Sequence, residues 1–148
     1  MNSTLLALIM GWMVTITGYP VPDYLPNIQF EPHSFFVEKV CDGRECDAQG
    51  WYNDAGMIYI DEKHQSVLSE SSYPEKPDQN HAEAASLVGH ESVHFLQDLS
   101  GKFKEKSCEN FLAREEEAFT AQRIGMIPYL KYLIPRSNMR RPYRCPNK

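Results

Sequence analysis

A pair of histidines with helical spacing is the feature of this sequence best suited to chemistry. His90, Glu91 and His94 form the pattern H-E-x-x-H, and in a helix both imidazoles would lie on one face, one turn apart. Two histidines so placed can bind one metal ion. Glu91 lies beside them, where it can act as a base without being a ligand. The pattern therefore predicts a metal site equipped for hydrolysis.

The surroundings of the motif favour this interpretation. Glu91 is the one charged residue between Ser86 and Gln97, so the segment is predicted to be a buried helix. Imidazoles and a carboxylate in an apolar helix need partners. The alternative is that His90 and His94 are ordinary hydrogen-bonded histidines of the core or surface.

A hydrolytic zinc site needs a third protein ligand and one open position. The metzincin pattern would require Gly at position 97 and His at position 100, but Gln97 and Ser100 stand there. The next predicted helix supplies three neighbouring carboxylates, Glu115, Glu116 and Glu117. The third ligand is therefore expected from that helix.

In these residues the chain resembles the gluzincin metallopeptidases, especially their short forms and small uncharacterised bacterial proteins with a zincin core. Their third ligand is a Glu on a following helix that often reads E-x-x-A, which here places the ligand at Glu115, before Ala118. Glu115 also lies on a mainly apolar helical stripe that includes Leu112, Ala118, Phe119 and Gln122.

The resemblance covers residues 86–122. It implies one Zn²⁺ per chain, bound by His90, His94 and Glu115, with Glu91 as general base in the hydrolysis of a peptide or protein substrate. The alternative, from another class, is a non-catalytic exported binding module in which the metal only ties the two helices together.

The resemblance also implies a place for the substrate. Gluzincins usually bind extended peptides along an edge strand beside the active-site helix, and Met57 to Asp61 resembles that strand. The donor for a developing oxyanion is not identified by the sequence. Tyr129, Tyr132 and Arg123 are candidates, and each could equally be a packing or surface residue.

The residues that orient the zinc histidines are expected to differ from the family pattern. Many gluzincins have an Asp four residues after the ligand Glu, but here Phe119 occupies that position. Asp98 and Gln122 are candidates to bind a ring nitrogen, or else serve in capping and packing. Glu116 and Glu117 are expected to be solvated, with Glu117 as an alternative partner near the metal.

Further elements follow from hydrophobic periodicity and turn residues. The chain of 148 residues is expected to form a single α+β domain, with a small sheet or hairpin packed on a long active-site helix that a ligand-bearing helix follows. The resemblance makes that fold zincin-like. The predicted elements are a strand at Asn27–Phe30, helices at Ser34–Val40, from Asp78 or Asn80 to Leu99, at Glu109–Ile124 and at Pro128–Leu133, and a hairpin at Gly50–Asp61 with its turn at Asn53–Gly56.

The N-terminal segment, residues 1–17, is predicted to be a buried apolar helix capped by Ser3. The run from Leu5 to Ile16 is shorter than the about 20 residues that a membrane-spanning helix needs. No basic residue precedes Lys39, so a signal peptide is poorly supported. An uncleaved export segment and a docking element are the alternatives.

The cysteines bear on the cellular compartment of the protein, and the net charge bears on its partners. Four cysteines in a small domain favour an exported or periplasmic protein with the pairs Cys41–Cys46 and Cys108–Cys145; thiolate zinc and reduced cysteines are the alternatives. The net charge of −5 argues against nucleic acid as a partner, despite the basic tail at residues 136–148. Nothing in the sequence indicates the oligomeric state. Three further histidines are predicted to be ordinary polar residues: His33, His64 and His81.

Overall fold

A computed structural model describes residues 1–125 and Cys145. The elements within them are α1 (Ser3–Thr17), β1 (Asn27–Glu31), α2 (His33–Val40), β2 (Gly50–Tyr52), β3 (Met57–Asp61), α3 (Gln65–Leu68), α4 (Gln79–Ser100) and α5 (Cys108–Gly125). A 3₁₀ turn at Glu62–His64 joins β3 to α3. The α+β class is confirmed. The predicted helix at Pro128–Leu133 lies outside the described residues.

The sheet has the strand order β1-β3-β2. β2 pairs antiparallel with β3, with Trp51 opposite Tyr59, so the predicted hairpin is confirmed. β1 pairs parallel with the other side of β3. The prediction that Met57–Asp61 forms the edge strand is therefore wrong, because both of its sides are paired. The edge strand that contacts α4 is β2.

Side-chain caps and left-handed residues delimit the main helices. The Asn2 side-chain oxygen accepts hydrogen bonds from the amides of Thr4 and Leu5 at 2.9 and 3.1 Å, so Asn2 caps α1 in place of the predicted Ser3. Asp78 caps α4, as one of the two alternatives predicted. Each of these helices ends where a residue with positive φ turns the chain away, as Gly101 does at φ 74° after α4.

The core is built around α4, which contacts α1, α5, β2 and β3. Every residue from Val88 to Gln97 is buried, so the H-E-x-x-H motif lies within the core as predicted. α1 packs closely on α4 at Gly89, where a Cβ atom would lie 3.0 Å from Cε of Met13. The apolar N-terminal helix is thus an integral part of the core, and no helix in residues 1–125 is both long and apolar enough to cross a membrane.

Both predicted disulfides, Cys41–Cys46 and Cys108–Cys145, are present. Together they account for every cysteine of the chain, which rules out the alternatives of zinc-bound thiolates and reduced cysteines. Two disulfides are compatible with an extracellular location.

Candidate metal centre

His90, His94 and Glu115 converge on one point between α4 and α5. Nε2 of His90 lies 3.3 Å from one Glu115 carboxylate oxygen, and Nε2 of His94 lies 2.9 Å from the other. Within the described part of the chain these residues form the one group of three whose ligand atoms all lie within 4.8 Å of one another. The sequence-based choice of Glu115 among its neighbours agrees with this geometry.

The spacing of these atoms suits a small tetrahedral cation. Ligand atoms about 2.1 Å from a tetrahedral centre lie about 3.4 Å apart, close to the 3.3 and 2.9 Å that separate the two imidazole nitrogens from the Glu115 oxygens. Two imidazole nitrogens and one carboxylate oxygen are also typical of zinc sites with an open position. The residues present therefore fit a zinc ion, although a donor set alone does not identify the metal.

A buried glutamine determines how His94 faces this point. Nε2 of Gln97 donates to the carbonyl oxygen of Arg114 at 3.0 Å and to the carboxylate of Glu117 at 3.1 Å. Both partners are acceptors, so the amide can be oriented in only one way, with Oε1 toward Nδ1 of His94 at 2.9 Å. Nδ1 of His94 also lies 3.3 Å from Nε of Arg114, which is a donor, but Oε1 of Gln97 is the nearer partner. We therefore assign the proton to Nδ1, which directs Nε2 to the metal position.

A second glutamine, Gln122, orients His90 in the same way, through Nδ1 of the ring. Oε1 of Gln122 lies 3.0 Å from Nδ1 of His90, and Nε2 of Gln122 donates to the Ser86 hydroxyl at 3.2 Å. That hydroxyl donates in turn to the carbonyl of Glu83 at 2.8 Å, so it must accept from the amide. The predicted role of Gln122 is confirmed.

The corresponding prediction for Asp98 is wrong. The Tyr52 hydroxyl donates to Asp98 at 2.7 Å, and the Arg114 guanidinium lies 3.9 Å from the same carboxylate. Asp98 points toward the hairpin side of α4. Gln97 faces α5 instead and forms the hydrogen bond with Nδ1 of His94.

The two glutamates that follow Glu115 also differ from each other. Glu116 is exposed, as predicted. Glu117 is half-buried and accepts hydrogen bonds from Tyr19, Gln97 and Lys102, so the alternative given for Glu117 is the correct one. Burial alone would raise the pKa of Glu117, but these donors outweigh it and lower the pKa.

Glu91 lies beside the metal group without belonging to it. Its side chain is buried, and burial raises its pKa, partly opposed by the nearby His90 and His94. The backbone amide of Tyr52 faces the carboxylate and also opposes the rise in pKa. A Cβ atom on Gly50 would lie 3.0 Å from Oε1 of Glu91, so the glycine lets the edge strand approach the carboxylate closely.

The contacts between Glu115 and the histidines shift the pKa values of Glu115 and His94. Burial raises the pKa of Glu115, but hydrogen bonds from His90 and His94 outweigh burial and leave the pKa well below its usual range. Burial lowers the pKa of His94, and the carboxylates of Glu115 and Glu91 reverse this effect, so that its pKa is raised. A metal cation at this point would replace the protons through which His90 and His94 contact Glu115.

Phe119 packs its ring against His90, with ring centroids 4.5 Å apart. Arg123, a predicted candidate for oxyanion stabilisation, is exposed in the last turn of α5. The other two candidates, Tyr129 and Tyr132, lie outside the described residues, as does the basic tail apart from Cys145.

The three remaining histidines are not part of the metal group. Their side chains bind other polar groups: His33 binds Glu45, His64 binds Gln49, and His81 binds both Asp78 and Glu70. Burial lowers the pKa of His81, but the hydrogen bonds that its ring makes to the Glu70 and Asp78 carboxylates outweigh burial and raise the pKa above its ordinary value.

Sequence reasoning missed three residues of this site. Gln97 was considered only as a departure from the metzincin pattern, although its place one turn after His94 was a usable signal. Gly50 and Tyr52 approach Glu91 through the folding of the hairpin onto α4, which no local pattern indicates.

Comparison with protein-family models, curated proteins and solved structures finds no match to this chain, so the geometry of the site carries the functional conclusion.

Proposed function

We propose that this protein is a zinc-dependent metallopeptidase that hydrolyses peptide bonds in a peptide or protein substrate. One observation carries the proposal: His90, His94 and Glu115 form a group suited to a metal, and the buried Glu91 lies next to that group without joining it. A purely structural metal site would not need such a carboxylate.

His90, His94 and Glu115 would hold the ion through Nε2, Nε2 and the carboxylate. When bound there, zinc supplies Lewis acidity that lowers the pKa of water and polarises a carbonyl oxygen. A structural zinc usually has four protein ligands. The described residues offer a group of three, which supports a catalytic site with an open position.

Glu91 is the general base of the proposed reaction. Its carboxylate accepts the proton of the attacking water and can later deliver it to the leaving amine nitrogen. The amide of Tyr52 faces the carboxylate, and the side chain is buried. Both contacts position Glu91 rather than take part in the chemistry.

The outer edge of β2 offers a place for an extended substrate. The amide of Asp61 bonds the Gln49 carbonyl and that of Asn53 bonds the Met57 carbonyl. Because hydrogen-bonded pairs alternate along an antiparallel ladder, the peptide groups of Gly50 and Tyr52 point away from β3. The Tyr52 amide faces Glu91, so the Gly50 amide and the two carbonyls are the groups that can pair with a substrate. A peptide added to this edge would pass directly beside Glu91.

The experiment that tests the proposal begins with metal content. Zinc per chain is measured by elemental mass spectrometry on the wild type, Glu115→Ala and Glu116→Ala, the last being a matched control because Glu116 is exposed. We expect one zinc per chain in the wild type and the control, and its loss in Glu115→Ala. A wild type that binds no metal even after zinc is added would overturn the proposal.

Cleavage is then measured with a library of fluorescence-quenched peptides. Glu91→Gln should keep the metal and lose activity by about 10²-fold or more, because a general base is removed while the ligands remain. A zinc-loaded wild type that cleaves nothing, with the Glu91→Gln variant indistinguishable from it, would favour the non-catalytic binding module instead.

A further inference from the structure

Two glutamines link the ligand-bearing helices in opposite directions. Gln97 extends from α4 and bonds the carbonyl of Arg114 and the carboxylate of Glu117 on α5. Gln122 extends from α5 and bonds His90 and Ser86 on α4. We call this pair the glutamine clamp. Each glutamine holds one histidine by its Nδ1 atom.

Gln97 acts on two ligands at once. Its side chain is fully buried and all of its polar atoms are engaged. Its Oε1 atom fixes the ring of His94, and its Nε2 atom bonds the backbone carbonyl that immediately precedes Glu115. One side chain therefore sets the orientation of a ligand on α4 and the position of the backbone that bears the ligand on α5.

We infer that Gln97 and Gln122 are positioning residues that assemble the metal site, by holding both histidines with Nε2 toward the metal and by keeping α5 in register with α4. This inference rests on the proposed metal centre but not on peptide hydrolysis. Because both acceptors of the ring protons are neutral amides, the clamp orients the histidines without adding negative charge near the ion.

Positions 97 and 122 differ in whether they tolerate a Glu in place of the glutamine. Gln97 must donate from Nε2, because both partners of that atom, the Arg114 carbonyl and the Glu117 carboxylate, only accept. A carboxylate at position 97 would face two acceptors and a like charge. The Nε2 partner of Gln122 is the hydroxyl of Ser86, which donates to the Glu83 carbonyl but can rotate to donate instead to a carboxylate at position 122.

The test compares the zinc affinities of variants by competition with a chromophoric chelator. Gln97→Met and Gln97→Glu should each weaken zinc binding by about 10- to 100-fold, the usual effect of losing a residue that orients a ligand. Gln122→Met should weaken binding similarly, whereas Gln122→Glu should bind within about threefold of the wild type. Gln79→Met, at an exposed position on the same helix as Gln97, is the matched control and should bind like the wild type.

A second measurement uses the folded wild type, so that it does not depend on a variant that fails to fold. In protein loaded with ¹¹³Cd, nitrogen NMR should show metal coupling to Nε2 of His90 and His94, with a proton on each Nδ1. Coupling to Nδ1 of either ring would overturn the inference.

Unchanged affinity in Gln97→Met, or equal effects of Glu at positions 97 and 122, would also overturn it. These results are distinct from a failure of the proposed function. A protein that binds zinc through the clamp but cleaves no peptide would retain the inference and lose the peptidase.

Discussion

Replacing Gly50 by Ala tests whether the edge strand positions the proposed base. Gly50 is not among the glycines with positive φ, so alanine meets no backbone strain there. The added Cβ atom would lie 3.0 Å from Oε1, 3.3 Å from Cγ and 3.5 Å from Cδ of Glu91. Since ordinary contacts begin at 3.4 Å, the carboxylate must retreat by about 0.4 Å.

This displacement sets the size of the expected effect. A misplacement of about 1 Å in an active site can cost about 10²-fold in rate, so a shift of this size should lower kcat/KM by about five- to tenfold. Zinc affinity should stay at the wild-type value, because Glu91 is not one of the three ligand residues.

The assay measures both quantities on the same preparations, with kcat/KM taken on the peptide that the wild type cleaves best. Gly11→Ala is the matched control, because a Cβ atom on Gly11 meets no atom within 4 Å. Wild-type kcat/KM in Gly50→Ala would refute the argument that β2 positions Glu91. A parallel loss of zinc would instead mean that the strand supports the ligands.

Three further predictions concern stability, measured as the free energy of unfolding in urea. Ser92→Ala should raise it by about 1 kcal/mol, because the buried Ser92 hydroxyl has no hydrogen-bond partner among the described residues; a loss of stability would contradict this. Removing Cys108–Cys145, with a sequence separation of 37, should cost about 4 kcal/mol, against about 2 kcal/mol for Cys41–Cys46, with a separation of 5. Equal losses would show that loop length does not govern the effect. The raised pKa of His81 means that its pairing stabilises the fold fully below about pH 6.5 and less as the pH rises through the folded-state pKa. The difference between wild type and His81→Gln should therefore shrink above neutral pH, and a difference that grows there would refute the assignment.

The features set by local geometry could be predicted from the sequence. A helix places residues four apart on one face, so His90 and His94 become neighbours as soon as their segment forms a helix. The same periodicity selected Glu115 and not Glu116 on α5. The Asp42-Gly43 turn lies between Cys41 and Cys46, whose pairing is likewise local.

The features that depend on how distant elements pack could not be predicted from the sequence. The sequence indicated two strands in a hairpin, but the parallel pairing of β1 with β3 decided that β2 is the edge strand. Likewise, Asp98 and Gln97 are neighbours in the chain, and only the position of α5 decided which of them binds His94. The sequence alone thus determined the chemistry of the ligands. Tertiary structure decided their partners, because hydrogen bonds across elements depend on the packing of helices and strands, which local spacing does not specify.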